Sequence, residues 1–508
     1  MARRAPGRDV SKDVDENRRR LAALLGEGPD LVYHELPLGS GFRPRALLVY
    51  ASSLVDEAYL GERVVEPLAR LFDGAAFAGP GLARRCRRAL ESSVPVQAVA
   101  VLKAAAEAVT GGRAVLFLAG SEEALVVDVA RLPKRQVAQP EVEVFVRGPR
   151  DSFNEDLETN LGLIRRRVRE PGLQIETSLV GKRSRTPVAL IYVRGLAREE
   201  MVEELKRRLK RIDVDSVLDS GHLEEYLSDQ PYALFPTILA TERPDRVAGA
   251  LFEGRAAVAV DGSPFVLIVP ASFWDFLASP EDYYQNPFFA TFLRWVRSAA
   301  YVLSFALPSA YVALTTFHQE MIPTDLALRI ATGKEGTPFP AVVEALLLEI
   351  QFEILREAGL RIPSKIGTAV SVVGVLVVGQ ALVAAGLVSP IIIIVVGSTA
   401  VASFAVPIFE ISYPTRLLRF PLMILGATLG IFGIVWGIGL VLAHLCALRS
   451  FGRPYLAPVT PLRWRELKDS PFLRAPHWAV VERSSTAQPG ERRRQPPGQK
   501  PGREEDVW

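Results

Sequence analysis

The sequence contains little cysteine and little histidine, and these shortages restrict the chemistry open to it. Only two cysteines, Cys86 and Cys446, occur in 508 residues. They lie far apart, which argues against a disulfide framework and leaves no cysteine-based metal spacing. The five histidines are scattered, so no zinc site or nucleophile–base pair is evident. We therefore predict no catalytic residue, no metal and no cofactor.

Charge of one sign is not in excess either. The formal net charge is +3 at pH 7, which gives no bulk signal for binding nucleic acid. The N-terminal stretch, which starts MARRAPGRDV, lacks the apolar core of a cleavable signal peptide. We expect roughly the first 290 residues to stay on the cytosolic side of a membrane.

Long apolar runs appear only in the second half of the chain. They lie at 298–317, 366–388, 389–409 and 420–448. About twenty apolar residues cross a ~30 Å hydrocarbon core as a helix, so the runs predict four membrane spans. These spans define an all-α, multi-pass transmembrane domain at 291–450. The basic tail that follows, 451–508, is predicted to be partly disordered because its end is polar and rich in Pro and Gly.

An internal repeat organises the part before the spans. GRAVLFLAGS at 112–121 matches GRAAVAVDGS at 254–263, and each precedes a second strand-like run, as in a hairpin that turns at Gly-Ser. Upstream of each hairpin, a strand-like run precedes a helical pattern at nearly the same offset. We therefore predict an α/β region of two related subdomains, 1–140 and 141–290.

The stretch EALLLEIQFEILREAGLRIP at 344–363 places acids among apolar residues. Glu349 and Glu353 lie on one face of a predicted amphipathic helix at 341–358. The apolar residues favour insertion into lipid by about 3–5 kcal/mol, whereas three carboxylates oppose it by about 8–10 kcal/mol. The helix is expected to lie at the interface, or to turn its acids to protein or water as paired charges or an ion pathway.

The span at 366–388 carries small residues at helical spacing. The stripe consists of Gly367, Ser371, Gly374, Val378, Ala381 and Ala385. Gln380 is a lone polar residue at membrane depth. Such a stripe allows close helix packing, and it also suits a pore wall that several subunits assemble around an axis. In the pore interpretation, a ring of Glu349 or Glu353 would favour cations.

The number of spans stays open at this point. With four spans, the basic tail ends inside, but the basic residues between Arg356 and Arg419 lie outside. With a fifth span at 341–355, those residues move inside and the tail moves out, so the positive-inside rule does not decide. The insertion energy favours four spans with a partly sunk acidic helix.

Long stretches in order carry a resemblance to a known family. They include RGPRDSFNEDLETNLGLIRRRVR (147–169), LKRIDVDSVLDSGHLEEYL (209–227), FPTILATERPDRVAGALFEGR (235–255), ALTTFHQEMIPTDL (313–326), EILREAGLRIPSKIGTAVSVVG (353–374) and LRSFGRPYLAP (448–458). In these stretches the chain resembles the GerA family of spore germination proteins, specifically the A subunit of the nutrient germinant receptor. The loop FEISYPTRLLRF (409–420) is less typical of the family.

The resemblance implies a protein of the bacterial spore inner membrane, in contact with membrane lipids. It implies partners, a transporter-like B subunit and a lipoprotein C subunit, and self-association into a ring. The ring would form a nutrient-gated channel for monovalent cations that triggers germination. Within the family, an A-like paralogue that spores use outside the three-part receptor is the nearest alternative.

Two other hypotheses stand beside the channel. A scaffold or signal relay would use its spans only to anchor the repeat domain. An enzyme is disfavoured, because Asp156, Asp219 and Glu242 lie in family-like stretches but have no evident base, nucleophile or metal partner. The sequence TERPD at 241–245 is interpreted as a polar turn before a helix.

Overall fold

The computed structural model describes residues 9–26, 28–36, 46–72, 82–129, 139–361, 379–464, 466–470, 472–476, 480, 483 and 485–488. The chain divides into two compact units. The first comprises Met1–Pro231, Ile238–Ala271 and Val481–Trp508, and the second comprises Tyr232–Thr237 and Ser272–Val480.

The first unit contains two five-stranded antiparallel sheets with the same topology. The first sheet consists of β1 (Leu31–Leu36), β2 (Ala46–Ala51), β3 (Val96–Val99), β4 (Ala114–Leu118) and β5 (Ala124–Val127), in the order β1-β2-β4-β5-β3. The second consists of β6 (Leu173–Val180), β7 (Thr186–Val193), β8 (Leu239–Thr241), β9 (Ala256–Val260) and β10 (Val266–Val269), in the order β6-β7-β9-β10-β8. The two predicted hairpins are confirmed as the pairs β4–β5 and β9–β10.

Helices cover the sheets of the first unit. Around the first sheet lie α1 (Val14–Leu25), α2 (Glu57–Leu60), a π-helical turn (Gly61–Val65), α3 (Glu66–Phe72), α4 (Leu82–Glu91) and α5 (Leu102–Thr110). With the second sheet come α6 (Leu157–Arg167), α7 (Glu199–Arg211), α8 (Ser220–Leu227) and α9 (Pro244–Phe252). Strand β2 is buried along its whole length, because Leu48 and Tyr50 face one core cluster while Leu47 and Val49 face the other. Burial on both faces explains why this strand is a continuous apolar run.

A buried ion pair joins the two subdomains of the first unit. Arg165 on α6 donates from Nη2 to Asp30 Oδ1 at 2.8 Å, and the two side chains are only 2% and 4% exposed. The same helix comes very close to the first subdomain, since a Cβ on Gly162 would lie 2.5 Å from the carbonyl oxygen of Ser53. Alanine does not fit at this position, so Gly162 permits the close approach of α6 to Ser53, and the ion pair between Arg165 and Asp30 stabilises it.

The TERPD sequence holds the segment that enters the second subdomain. The Glu242 carboxylate accepts the backbone N–H groups of Val142 at 2.7 Å and Glu143 at 2.6 Å. Arg243, which is 1% exposed, donates to the carbonyl oxygen of Pro149 at 2.9 Å. Thr241 donates to the Glu143 carboxylate at 2.9 Å, and burial raises the pKa of that carboxyl. The sequence is therefore a clamp on residues 141–149 as well as a turn.

The two other acids considered for catalysis cap helices. Asp156 precedes α6 and accepts the N–H of Thr159 at 3.0 Å, which satisfies an amide at the helix start. Asp219 precedes α8 and accepts the N–H of Gly221 at 3.1 Å. Each of these carboxylates thus has a structural task.

The second unit is mainly helical. Its helices are α10 (Phe273–Leu277), α11 (Pro287–Thr316), α12 (Thr324–Lys334), α13 (Ala341–Arg361), α14 (Pro390–Phe404) and α15 (Ser412–Ala447). Short 3-10 helices lie at Ser52–Leu54 in the first unit and at Pro280–Tyr283, Gln319–Met321 and Glu466–Lys468 in the second. Two small antiparallel pairs, Arg449–Ser450 with Arg453–Pro454 and Asp469–Ser470 with Leu473–Arg474, follow α15.

Within the described residues, two helices are long and apolar enough to cross a membrane by length and composition, namely α11 and α15. Helix α14 is apolar but shorter. Most of the predicted span at 366–388 lies outside the described residues.

Removing Arg165 should destabilise the first unit. Arg165→Ala leaves Asp30 buried without its partner, and we expect a loss of about 3–5 kcal/mol in unfolding free energy. The readout is labelling of Cys86, which is fully buried in the first subdomain, as urea rises in a full-length Cys446→Ser background. Arg70→Ala, which breaks an exposed pair with Glu66, should cost less than about 1 kcal/mol. A loss in Arg165→Ala as small as that in Arg70→Ala would show that the buried pair does not stabilise the first unit.

Removing the Glu242 carboxylate should free the clamped segment. In Glu242→Ala, hydrogen exchange at the amides of 141–143 should accelerate about tenfold or more, because a hydrogen bond to a charged group contributes about 1.5–3 kcal/mol. Exchange is measured by mass spectrometry on the full chain. Glu141→Ala, which removes an exposed carboxylate beside the clamp, is the control and should leave exchange unchanged. Unaltered exchange in Glu242→Ala would contradict the clamp.

Candidate functional site

Helix α15 is a hairpin of two antiparallel arms. Gly430 has φ +63° and ψ −147°, so it interrupts the helix between residues 412–429 and 431–447. A Cβ on Gly437 would lie 2.6 Å from the Leu422 side chain. In a straight helix these two residues would be about 22 Å apart. The apolar run predicted as one span at 420–448 is therefore folded back on itself.

Helix α11 runs beside the first arm and parallel to it. Arg419 Nε donates to the carbonyl oxygen of Ser304 at 2.6 Å, and a Cβ on Gly426 would lie 2.8 Å from the carbonyl oxygen of Ser309. At the tip of the hairpin, the N–H of Ile431 donates to His318 Nε2 at 3.3 Å. The end of α11 and the hairpin turn thus lie at the same level.

Helix α13 brings the acidic residues against the first arm. Arg419 Nη1 donates to Glu349 Oε2 at 2.8 Å, and both side chains are almost completely buried, at 1% and 0% exposure. One turn further along, Arg416 Nε donates to Glu353 Oε2 at 2.8 Å. The contacts run in opposite directions along the two helices, so α13 is antiparallel to the first arm and to α11.

A third arginine completes what we call the charged cluster, which consists of Glu349, Glu353, Arg356, Arg416 and Arg419. Arg356 Nη2 donates to Ser403 Oγ of α14 at 2.8 Å. Its guanidinium also lies 4.9 Å from the ring centre of Phe352 and 5.2 Å from that of Phe404. Four helices, α11, α13, α14 and α15, therefore meet around these charges.

The charged cluster has unused hydrogen-bonding capacity. Within the described part of the chain, four of its buried atoms have no hydrogen-bond partner: Glu349 Oε1, Glu353 Oε1, Arg356 Nε and Arg419 Nη2. Buried polar groups are usually satisfied by protein or by water. The geometry therefore leaves places for further polar partners among these helices.

Sequence reasoning found the acids but missed their partners. Arg416 and Arg419 lie three residues apart on a helix, nearly matching the four-residue spacing of Glu349 and Glu353. That complementary spacing is a signal in the sequence, and it lies in the stretch at 409–420, which is less typical of the family. Of the alternatives that the sequence left open, paired charges describe these two acids.

A third acid of α13 also has a buried place. Glu344 is fully buried and accepts the N–H of Ser389, which precedes α14, at 2.9 Å. Thr337 donates to its other oxygen at 3.2 Å. Glu344 thus ties the beginning of α13 to the beginning of α14, and these helices run parallel.

The predicted small-residue stripe lies mostly outside the residues that the structure describes. Gly367, Ser371, Gly374 and Val378 lie outside the described residues, and Gln380 is exposed in a short helical stretch. In the described ranges, no group of His, Cys, Asp and Glu could hold a metal ion.

Comparison with known proteins reveals close relatives. The family model described as Bacillus/Clostridium GerA spore germination protein matches residues 19–486. Spore germination protein KA of Bacillus subtilis (strain 168) is 41% identical over 495 residues, which cover 97% of this chain and 89% of the relative. The uncharacterized membrane protein YfkQ of the same organism is 37% identical over 503 residues, which cover 98% of this chain and 95% of the relative.

A solved structure is also similar. The crystal structure of the N-terminal domain of the A subunit of the Bacillus megaterium spore germinant receptor GerK3 is 29% identical. The match covers 53% of this chain and 99% of that domain, with a TM-score of 0.43. The family match spans nearly the whole chain, so the resemblance noted in the sequence is confirmed, and this chain belongs to the GerA family of spore germination proteins.

Proposed function

We propose that this chain is the A subunit of a nutrient germinant receptor in the spore inner membrane, and that its copies form a ring that conducts monovalent cations. Family membership and relatives named as spore germination proteins support the receptor role. The chain would act with a transporter-like B subunit and a lipoprotein C subunit. A nutrient bound elsewhere in the complex would shift the ring from closed to open, and cation release would start germination.

Exposed apolar surface supports a multi-pass membrane location. Large apolar side chains are exposed on the outer faces of α11 and the hairpin, among them Leu303, Ile424, Phe432, Val435 and Trp436. Contiguous apolar surface of this kind marks a binding or membrane-contact face, and hydrocarbon chains would cover it. We therefore place α11, α13, α14 and both arms of α15 in the bilayer.

The charged cluster makes a membrane position acceptable for α13. The insertion energy weighed isolated carboxylates, and these would keep the helix at the interface. Arginines on the neighbouring arm instead neutralise Glu349 and Glu353, and such pairing is how charged groups persist at membrane depth. Because α13 is antiparallel to α11 and packs against it, we propose that it crosses the bilayer as the fifth span left open by the sequence.

The channel part of the proposal rests on Glu353. Its side chain is 19% exposed, whereas that of Glu349 is fully buried. Its Oε2 accepts hydrogen bonds from Arg416, while its buried Oε1 has no hydrogen-bond partner in the described structure and lies 3.9 Å from Arg419 Nη1. We propose that a hydrated path passes Glu353, that Glu349 holds α13 on the hairpin, and that the 366–388 stripe supplies the wall.

A scaffold or relay without a pore is the second candidate. The ion pairs of Glu349 and Glu353 favour this candidate, because both acids pair with arginines of the same copy of the chain and need no pore to accommodate them. Arginines also outnumber glutamates in the charged cluster, and an excess of positive charge opposes cation entry. Measurements of ion flux distinguish the two candidates.

Neutralising Glu353 should slow cation release. We expect Glu353→Gln to lower potassium efflux by several-fold from liposomes that contain the full-length chain together with its B and C partners, because a carboxylate in the path attracts cations. Efflux is followed with a potassium electrode after a nutrient mixture is added. Glu357→Gln, the same change one turn along α13, should leave efflux unchanged.

Two outcomes would contradict this assignment. If Glu353→Gln conducts like the wild type at equal protein content, Glu353 is not in the path. If the wild-type oligomer with its B and C partners never releases potassium, the scaffold replaces the channel.

Arg419 should stabilise the second unit through Glu349. Arg419→Met leaves a fully buried carboxylate unpaired, and we expect a loss of about 3–5 kcal/mol, seen as a lower thermal midpoint of the purified protein. Replacing both residues in Glu349→Met/Arg419→Met removes the stranded charge and should recover most of that loss. A double variant as unstable as Arg419→Met alone would show that Arg419 acts through other contacts.

A further inference from the structure

We infer that the last apolar segment enters and leaves the membrane on one side, so that the C-terminal tail returns to the side of the N-terminal repeat domain. The inference rests on the membrane location proposed above, but not on the channel. A single straight helix over the same residues would deliver the tail to the opposite side.

The hairpin has the depth of a bilayer. Each arm holds about 17 residues and is therefore about 26 Å long, close to the ~30 Å hydrocarbon core. One uninterrupted helix over Ser412–Ala447 would be about 54 Å long, much more than one crossing needs. The tip lies beside His318, at the end of α11 away from its start. The open ends of both arms therefore face the level at which α11 begins.

Contacts after the second arm agree with this placement. Ser450 Oγ donates to the carbonyl oxygen of Thr237 at 2.7 Å, and the Tyr455 hydroxyl donates to that of Pro236 at 2.6 Å. The ring centres of His444 and Phe235 are 6.2 Å apart. Nearer to α11 in the chain, the N–H of Phe273 donates to the carbonyl oxygen of Tyr455 at 2.9 Å. The residues that follow α15 therefore lie beside the segment that leads into α11.

The end of the tail gives an independent observation within the first unit. The N–H of Gln488 donates to the carbonyl oxygen of Leu196 at 2.8 Å, and Thr486 Oγ1 donates to that of Glu253 at 2.7 Å. Gly254 has φ +75°, and a Cβ there would lie 2.5 Å from Ala487 Cα. The tail is thus seated on the second subdomain next to the repeated GRA sequence. It reaches that seat only if it emerges on the same side.

The distribution of lysine and arginine also supports a hairpin whose two ends lie on the same side of the membrane. Basic side chains near the open ends of the hairpin and the start of α11 include Arg294, Arg297, Arg356, Arg416, Arg449 and Arg453. The opposite end of the bundle, between α11 and α13, carries only Arg329 and Lys334 among basic residues. With a single span at 420–448, the basic residues before the span and those after it lie on opposite sides of the membrane, so the positive-inside rule does not decide the topology. With the hairpin, both groups of basic residues lie on one side, as the rule requires.

Cysteine accessibility tests the inference in the full-length chain. In a Cys86→Ala/Cys446→Ser background, single cysteines are placed by Glu122→Cys in the repeat domain, Thr460→Cys in the tail and Glu335→Cys between α12 and α13. Right-side-out and inverted membrane vesicles are labelled with a membrane-impermeant maleimide. We expect Thr460→Cys and Glu122→Cys to label in one vesicle orientation and Glu335→Cys in the other.

The outcomes separate the hairpin from the membrane proposal. If Thr460→Cys labels together with Glu335→Cys, the segment crosses once and the hairpin is overturned. If all three positions label in the same orientation, α11 does not cross, and the membrane location proposed above fails first.

A matched glycine pair tests the turn itself. Gly430→Ala puts a Cβ at a positive φ and 2.7 Å from His318 Nε2, so we expect loss of the wild-type labelling pattern or of folded protein. Gly439→Ala makes the same chemical change on the second arm, where a Cβ meets nothing within 4 Å, and should behave like the wild type. Wild-type behaviour of both variants would contradict a turn at Gly430.

Discussion

The second unit depends on compensating charge among helices whose surfaces are otherwise apolar. A fully buried carboxylate such as that of Glu349 has no water to solvate it, so it must find a cation or remain neutral. Arg419 satisfies Glu349 and also binds the carbonyl oxygen of Ser304, so one side chain fixes α13, α11 and the first arm together. The packing of α13 and α11 against the first arm therefore depends on that guanidinium.

Local patterns in the sequence predicted local structure well. The Gly-Ser turns at 120–121 and 262–263 gave both hairpins, because a tight turn between apolar runs depends only on neighbouring residues. The shared strand order was not predictable in detail, since pairing between distant strands is a tertiary choice. The partners of Glu349 and Glu353 lie more than sixty residues away, so a local window does not reveal them, and only the matching spacing of Arg416 and Arg419 pointed to them.

Two features could not be predicted from composition, because they depend on contacts between distant residues. Gly430 is one of several glycines in an apolar run, and nothing in its neighbours distinguishes a turn from a packing site. Glu242 was predicted to lie in a polar turn, yet its carboxylate collects amides from a segment a hundred residues earlier. In both cases the residue type was compatible with several roles, and long-range geometry selected one. The stripe at 367–378 remains a prediction from spacing alone.

The clamp at Glu242 and the ion pair between Asp30 and Arg165 have a mechanical consequence. Tandem domains are commonly joined by a flexible linker, and across such a linker one domain can move without moving the other. Here the joint is locked by a carboxylate at one place and by a salt bridge and a glycine contact at another. We therefore expect the two halves of the repeat domain to move together, so that a displacement of one half is passed to the other.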